Sequence, residues 1–272
     1  MRILFLGDIM GRSGRNCVKR HLPSLRKRLR PDIVIINVEN AAAGFGVTGK
    51  LAQEFFSLGA TCLTTGNHAW GQKELVDYID GEPRLLRPLN FLAGTPGRGS
   101  YIHKLSDGRK ALIVCAMARL FVEPIIDDPF ASVARLLEQY HLGKSVQAIF
   151  VDFHGEATSE KMAFAHYFDG KISAVVGTHT HIPTADEHIL PEGTAYITDV
   201  GMCGDYDSVI GVKKELAIWR FTRSIPGERL VPAEGEATIC GVFVVTDDST
   251  GLAESIGRIQ LGGILREELP EK

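Results

Sequence analysis

Residues 172–181 read Ile-Ser-Ala-Val-Val-Gly-Thr-His-Thr-His. An apolar, β-branched run of strand length ends, and His179 and His181 follow at once. The same construction recurs four more times. RILFLG (2–7) leads into Asp8, and DIVIINV (32–38) leads into Glu39 and Asn40. TCLTTG (61–66) leads into Asn67 and His68, and AIFVDF (148–153) leads into His154. Continuous apolar runs of this length suit parallel strands buried on both faces. Helical spacing separates several of them, as in Val18, Leu22, Leu25 and Leu29. Alternating strands and helices predict an α/β fold.

Ligands of α/β proteins bind beyond the carboxyl ends of the strands. Five such endings converging would bring carboxylate, amide and imidazole groups together, the donor set of a dinuclear metal centre for phosphate-ester chemistry. Each piece has a plainer reading when alone. Asp8 beside a glycine often only caps a turn, and His154 after a strand can be a satisfied core histidine. Glu39 is sharper, because a carboxylate ending a buried strand needs a partner. Neighbouring side chains point different ways, so Asn67 can ligate a metal while His68 faces substrate. His179 and His181, two apart in extended chain, can enter one site.

The predicted strands are Arg2–Leu6, Asp32–Val38, Thr61–Thr64, Val146–Phe153 and Ile172–Val176, with a hairpin of Tyr101–Lys104 and Ala111–Ala116. Thr48 should cap a helix that Gly59 ends, and Pro23 should kink or restart the first helix. Further helices are expected at Gln72–Ile79, Pro129–Tyr140 and Thr158–Phe168. After His181, strand candidates at Ala195–Thr198, Leu216–Phe221, Ala237–Val245 and Glu254–Ile259 suggest a second, more antiparallel sheet. One domain over residues 1–272, with two packed sheets and outer helices, accommodates all of this.

With 44% hydrophobic and 23% charged residues the composition is that of a globular protein. A net charge of −3 gives no global pull towards nucleic acid, and the basic run Lys19–Arg30 reads as a solvated helix face. No apolar stretch is long enough to cross a bilayer as a helix, so no membrane partner and a cytoplasmic location are expected. The five cysteines form no CxxC pair, which favours reduced thiols. Neither a dinucleotide fingerprint nor a P-loop is present, and residues 44–50 are better read as a flexible wall of the site.

Taken together, Asp8, the Gly66-Asn67-His68 triplet, His154 and the His179-Thr180-His181 pair resemble the calcineurin-like metallophosphoesterases. The resemblance is closer to the YmdB-like family. It runs through LGDIMGRSGR (6–15), NVENAAAGFGVT (37–48), TGNHAW (65–70), VDFHGEATSEK (151–161), GTHTHIPTAD (177–186) and TDVGMCGDYDSVIG (198–211). It implies the αββα sandwich of that superfamily, two mixed β-sheets flanked by helices. The wider superfamily has a histidine where this chain has Met10, a poor ligand for a hard metal.

The resemblance further implies two divalent ions, iron or manganese ahead of zinc or magnesium. Asp8, Glu39, Asn40 and His181 would hold one, and Glu39, Asn67, His154 and His179 the other. His68 would be catalytic rather than a ligand. Two ions against the charges of Asp8 and Glu39 leave a net positive site that attracts a phosphodiester. The expected reaction is in-line attack by a hydroxide between the ions, with His68 giving a proton to the leaving oxygen. Cyclic nucleotides, 2′,3′ and then 3′,5′, are the implied substrates. A phosphomonoesterase, a protein phosphatase, an RNA nuclease or a non-catalytic nucleotide- or RNA-binding regulator are the rivals, and a homo-oligomer stays open. Arg15, Arg87 and Arg119 are candidates for phosphate contact, and Phe45, Trp70 and Tyr206 for base stacking.

Overall fold

The computed structural model describes residues 1–270, so the last two residues of the expected 1–272 domain lie outside it. The first half alternates as expected: β1 (Arg2–Leu6), α1 (Gly11–Leu29), β2 (Ile33–Asn37), α2 (Gly49–Ser57), β3 (Cys62–Thr64), α3 (Leu75–Tyr78) and β4 (Leu85–Leu86). The hairpin β5 (Ser100–Lys104) and β6 (Lys110–Met117) comes next. It is followed by α4 (Pro129–Leu137), β7 (Ala148–His154), α5 (Thr158–Tyr167) and β8 (Ala174–Thr178). The chain closes with β9 (His188–Ile189), β10 (Ala195–Ile197), β11 (Gly204–Asp205), α6 (Lys214–Thr222), β12 (Ala237–Thr246) and β13 (Ala253–Leu261).

Two mixed sheets result. One runs β11-β12-β1-β2-β3-β4 with β13 beside β12, and the other runs β5-β6-β7-β8-β10-β9. Side-chain alternation stacks them. Ile3, Phe5, Ile33 and Ile35 meet Ile113, Cys115, Phe150 and Val176 between the sheets. Their neighbours Leu4, Leu6, Val34 and Ile36 pack on Leu22, Leu25 and Phe55 of the helices outside. Val114, Val151 and Phe153 do the same on the other flank with Val133 and Phe164. Both faces of each central strand are therefore dry, which is why these strands read as unbroken apolar runs. Burying each such side chain contributes about 1.5–3 kcal/mol. The architecture is the expected αββα sandwich.

Local signals act as predicted in α2, where the Thr48 side chain accepts from Leu51 N at 3.2 Å and Gly59 follows with φ +99°. The basic side chains Lys19, Arg20, Arg26, Lys27 and Arg28 of α1 are exposed, as a solvated face should be. All five cysteines are free and buried.

Three expectations are corrected. The helix α1 does not restart at Pro23, which is exposed, but continues through it as one helix. Buried Leu22, Leu25 and Leu29 hold both sides of it to the core, so the lost Lys19 carbonyl bond is tolerated. Leu216–Phe221 is not a strand but most of α6. Its aromatic and β-branched residues mimic a strand, yet Phe221 is 88% exposed and, among the described residues, the segment pairs with no strand. The later strands form no sheet of their own. The strand β12 pairs antiparallel with β1, Leu4 opposite Phe243, while β10 runs parallel to β8.

Candidate metal centre

Parallel pairing of β1 with β2, of β2 with β3 and of β7 with β8 points these carboxyl ends to one edge of the sandwich. A bridge ties the two sheets there: Asn37 Nδ2 donates to Asp152 Oδ2 at 2.9 Å. Above it lie all eight side chains singled out in the sequence. Asp8, Glu39, Asn40, His154 and His181 are buried, while Asn67, His68 and His179 are partly exposed.

The tightest convergence surrounds His154 Nε2. Asn67 Oδ1 and His179 Nδ1 each lie 3.0 Å from it, and Glu39 Oε2 lies 3.1 Å away. On the other side of the ring, His154 Nδ1 is 2.9 Å from Thr178 Oγ1, and that hydroxyl donates to Asp152 Oδ1 at 2.7 Å. The Thr178 proton is thereby committed, so His154 Nδ1–H donates to Thr178 and Nε2 carries a lone pair. Four electron-pair donors then face one another with no proton between them. Glu39 Oε2 and Asp8 Oδ1 are buried without a hydrogen bond. Such an array suits a cation.

Two of the other three imidazoles are oriented the same way. His181 Nδ1 donates to Ile210 O at 2.7 Å, which frees Nε2. His179 Nε2 lies 3.4 Å from the Glu156 carboxylate, which favours a lone pair on Nδ1. Burial pushes His154 down to about 4 and His179 to about 2, so both are neutral and available as ligands at pH 7. Burial also raises Asp8, and it pushes Glu39 up to about 7 against the pull of nearby imidazoles. These are carboxylates whose charge lacks compensation within the protein.

The second group is looser. Asp8 Oδ2 accepts the His179 N–H at 3.2 Å, and Asn40 Nδ2 lies 3.1 Å from His181 Nε2. Asn40 Oδ1 accepts from His68 Nδ1 at 2.8 Å, and Glu39 Oε1 is 3.3 Å from the same nitrogen. Asn40 thus presents its nitrogen, not its oxygen, to His181. The amide's two ends are isosteric, so a flip would turn the oxygen to the imidazole side.

Strain accompanies the arrangement. His179 and His181 have φ of 101° and 68°, sparsely populated by non-glycine residues. A fully buried Lys161–Asp199 pair, 3.0 Å apart, holds that loop. Lys161 Nζ donates to Thr178 O, Asp199 Oδ2 accepts from Thr180 N, and Tyr206 Oη donates to His181 O.

A cavity of about 520 Å³ opens over the cluster, within the range of small-molecule sites. Phe45 walls it and packs on His68 with ring centroids 4.1 Å apart. Glu156, Arg220 and Arg229 also line it. The sequence-based candidates for substrate contact divide. Arg87 is committed to backbone carbonyls such as Pro88 O, and Arg119 faces Asp128. Trp70 packs towards Phe91, and the Tyr206 hydroxyl is spent on the loop. None of these four lines the cavity.

Sequence reasoning missed the supporting groups. Asp152 sits inside an apolar strand and could have been flagged as a buried acid in need of donors. Nothing in the local sequence distinguishes Arg220 and Arg229. Thr178→Val should keep the side-chain volume but leave His154 Nδ1 and Asp152 Oδ1 unpaired. Divalent-metal affinity is expected to fall roughly 10–100-fold, checked by metal titration. Unchanged affinity would show that the hydroxyl does not set the His154 tautomer.

An αββα sandwich with carboxylates, amides and imidazoles gathered at its strand ends has the architecture of the calcineurin-like metallophosphoesterases. Within that class, the chain belongs to the YmdB-like protein family, whose model matches residues 4–259. It is 48% identical over 259 residues to a Bacillus subtilis (strain 168) protein named 2′,3′-cyclic-nucleotide 2′-phosphodiesterase, covering 95% of this chain and 96% of that one. A crystal structure of a hypothetical protein from Thermus thermophilus superposes with a TM-score of 0.89 at 41% identity, covering 97% of this chain and 100% of the other. A Mycoplasma pneumoniae protein described as a novel phosphatase gives 0.90 at 35% identity, with 96% and 93% covered.

Proposed function

We propose that the chain works as one domain, a metal-dependent phosphodiesterase that opens 2′,3′-cyclic nucleotides, with 3′,5′-cyclic nucleotides as secondary substrates. The observation that carries this is the ring of donors around His154 Nε2, with the unpaired Glu39 and Asp8 oxygens beside it, beneath a cavity with two arginines. The B. subtilis relative's name supports the cyclic substrate.

Glu39, Asn67, His154 and His179 would hold one divalent ion, and Asp8, Glu39, Asn40 and His181 a second. Nitrogen-rich donors favour iron or manganese over magnesium. Bound there, such ions supply Lewis acidity and a nucleophile at neutral pH. Arg220 and Arg229 attract the phosphodiester anion into the cavity, and Phe45 offers a face for the base. His68 serves the leaving oxygen. If Asn40 turns its oxygen away from His68, its Nδ2–H donates to His68 Nδ1. The imidazole proton is then on Nε2, where it can bond the leaving oxygen. The five free, buried cysteines support a reducing, cytoplasmic setting.

His68→Ala is expected to keep both ions while kcat on 2′,3′-cyclic AMP falls about 10²–10³-fold. Metal analysis and steady-state kinetics check this, and near-normal turnover would remove His68 from the chemistry. The M. pneumoniae protein's description favours one competing reading, a phosphomonoesterase. Comparing 2′,3′-cyclic AMP with 3′-AMP in manganese separates the two.

A further inference from the structure

Next to the catalytic cavity lies a second cavity of about 430 Å³. Ala43, Arg229, Leu230 and Pro232 border both. Its other walls carry Arg12, Arg15 and Lys213, and Glu234 is its one acidic lining residue. Among the described residues, none of the four cations is engaged in an ion pair. Arg15 is held in place by donating to Ala41 O, while Arg12, Lys213 and Arg229 are exposed. In a chain with net charge −3, four unpaired cations around one concavity are a local reversal of sign.

A 2′,3′-cyclic mononucleotide has no use for Arg12, Arg15 and Lys213, which border the second cavity and not the catalytic one. Its single charge is on the cyclic phosphate, which the metal centre would take, and its 5′ end is a neutral hydroxyl. Further anions appear there when that 5′ oxygen carries a phosphate, and a series of them appears when the phosphate joins it to preceding nucleotides. Resting on the phosphodiesterase reading above, we infer that the preferred substrate is an RNA strand ending in a 2′,3′-cyclic phosphate. Its bridging phosphates run from Arg229 into the Arg12–Arg15–Lys213 cavity. Leu230 and Pro232 give the intervening ribose an apolar wall. One water is consumed: its oxygen bonds to phosphorus, the P–O2′ bond breaks, one of its protons ends on the 2′ oxygen, and the other goes with the new phosphomonoester and ionises to solvent. The strand leaves with a 3′-phosphomonoester. Such cyclic ends form whenever a 2′-hydroxyl attacks its own phosphodiester, so the reaction would act downstream of RNA cleavage of that type.

The test compares adenosine 2′,3′-cyclic phosphate with an oligoadenylate trinucleotide ending in the same cyclic phosphate, in manganese. The trinucleotide should have the higher kcat/KM, by roughly tenfold per bridging phosphate held. Its log kcat/KM should fall with log salt about 1.4 more steeply than the mononucleotide's, for two phosphates. In Arg12→Glu/Lys213→Glu the ratio between the two substrates should drop to about one. Both side chains are exposed, so the fold should survive the change. A trinucleotide no better than the mononucleotide, or a preference that survives the double substitution, overturns the inference. A binding arm separates this from the reading beneath it. Fluorescence anisotropy with a trinucleotide 3′-phosphate needs no turnover. Binding lost in the double variant, with both cyclic substrates inert, would support the RNA cavity and sink the phosphodiesterase. Absence of binding as well would sink both.

Discussion

Glu39→Ala is expected to lose its metal and to fall to the uncatalysed level, on the order of 10⁶-fold or more below the intact enzyme. Among the described residues, Glu39 is the one carboxylate with oxygens directed into both donor groups. Oε2 faces His154 Nε2 at 3.1 Å, and Oε1 lies 3.3 Å from the His68 ring nitrogen that Asn40 also contacts. Asp8, the other carboxylate of the donor cluster, approaches His154 only to 3.8 Å. Removing Glu39 therefore strips anionic charge from both donor groups at once. Unfolding is not the expected cause of the loss, since this carboxylate costs stability when nothing offsets its charge. It is 1% exposed, Oε2 has no hydrogen bond, and burial pushes its pKa up to about 7. Glu39→Gln, which keeps the volume, should thus melt no lower than the metal-free parent. What both variants should lose is the rise in Tm on adding manganese, which corresponds to about 2.7 kcal/mol at one hundred times Kd. A Glu39→Ala protein that retained two ions by elemental analysis would end the bridging assignment.

The part of this centre that was legible in sequence is the part encoded by strand ends. Buried strands are apolar on both faces, so the residue where polarity returns is conspicuous, as at Asp8, Glu39 and His154. What closes the site is non-local. Thr178 and Asp152 are 26 residues apart, and Asn37 and Asp152 115 apart, yet they fix the ring that gathers the donors. No local pattern reports such pairs. The strand β12 is likewise a clear run of apolar residues, but nothing in it says that Phe243 will lie opposite Leu4. The helix α6 misled because composition signals a strand only where a sheet edge waits for it. Its exposed face instead brings Arg220 to the cavity wall, so the misread segment lines the cavity over the donor cluster. The donor cluster is written at strand ends, and the cavity wall is written in loops and in α6, where residue type constrains conformation least.

Gly66→Ala is expected to be as damaging as loss of Glu39, through one methyl group. A Cβ on Gly66 would collide with Glu39 Oε2 and His154 Nε2, far inside van der Waals contact with both. Those are the atoms whose lone pairs define the tighter site, so the methyl would occupy the space a cation needs. Neither neighbour can yield. His154 is fixed through Thr178 to Asp152 and is wholly buried, and the Glu39 backbone is pinned where its carbonyl accepts from Gly46 N at 2.6 Å. Overpacking of this kind typically costs about 1–3 kcal/mol. The Tm should fall modestly, while manganese binding and cyclic-nucleotide turnover should both vanish. The control is Gly81→Ala, where the added Cβ meets nothing within 4 Å and activity should be unchanged. Calorimetry and metal analysis on the two variants separate a filled cradle from general instability. Were Gly66→Ala to bind manganese with parental affinity, the ion's place could not be between Glu39 Oε2 and His154 Nε2, and the donor ring would need another explanation.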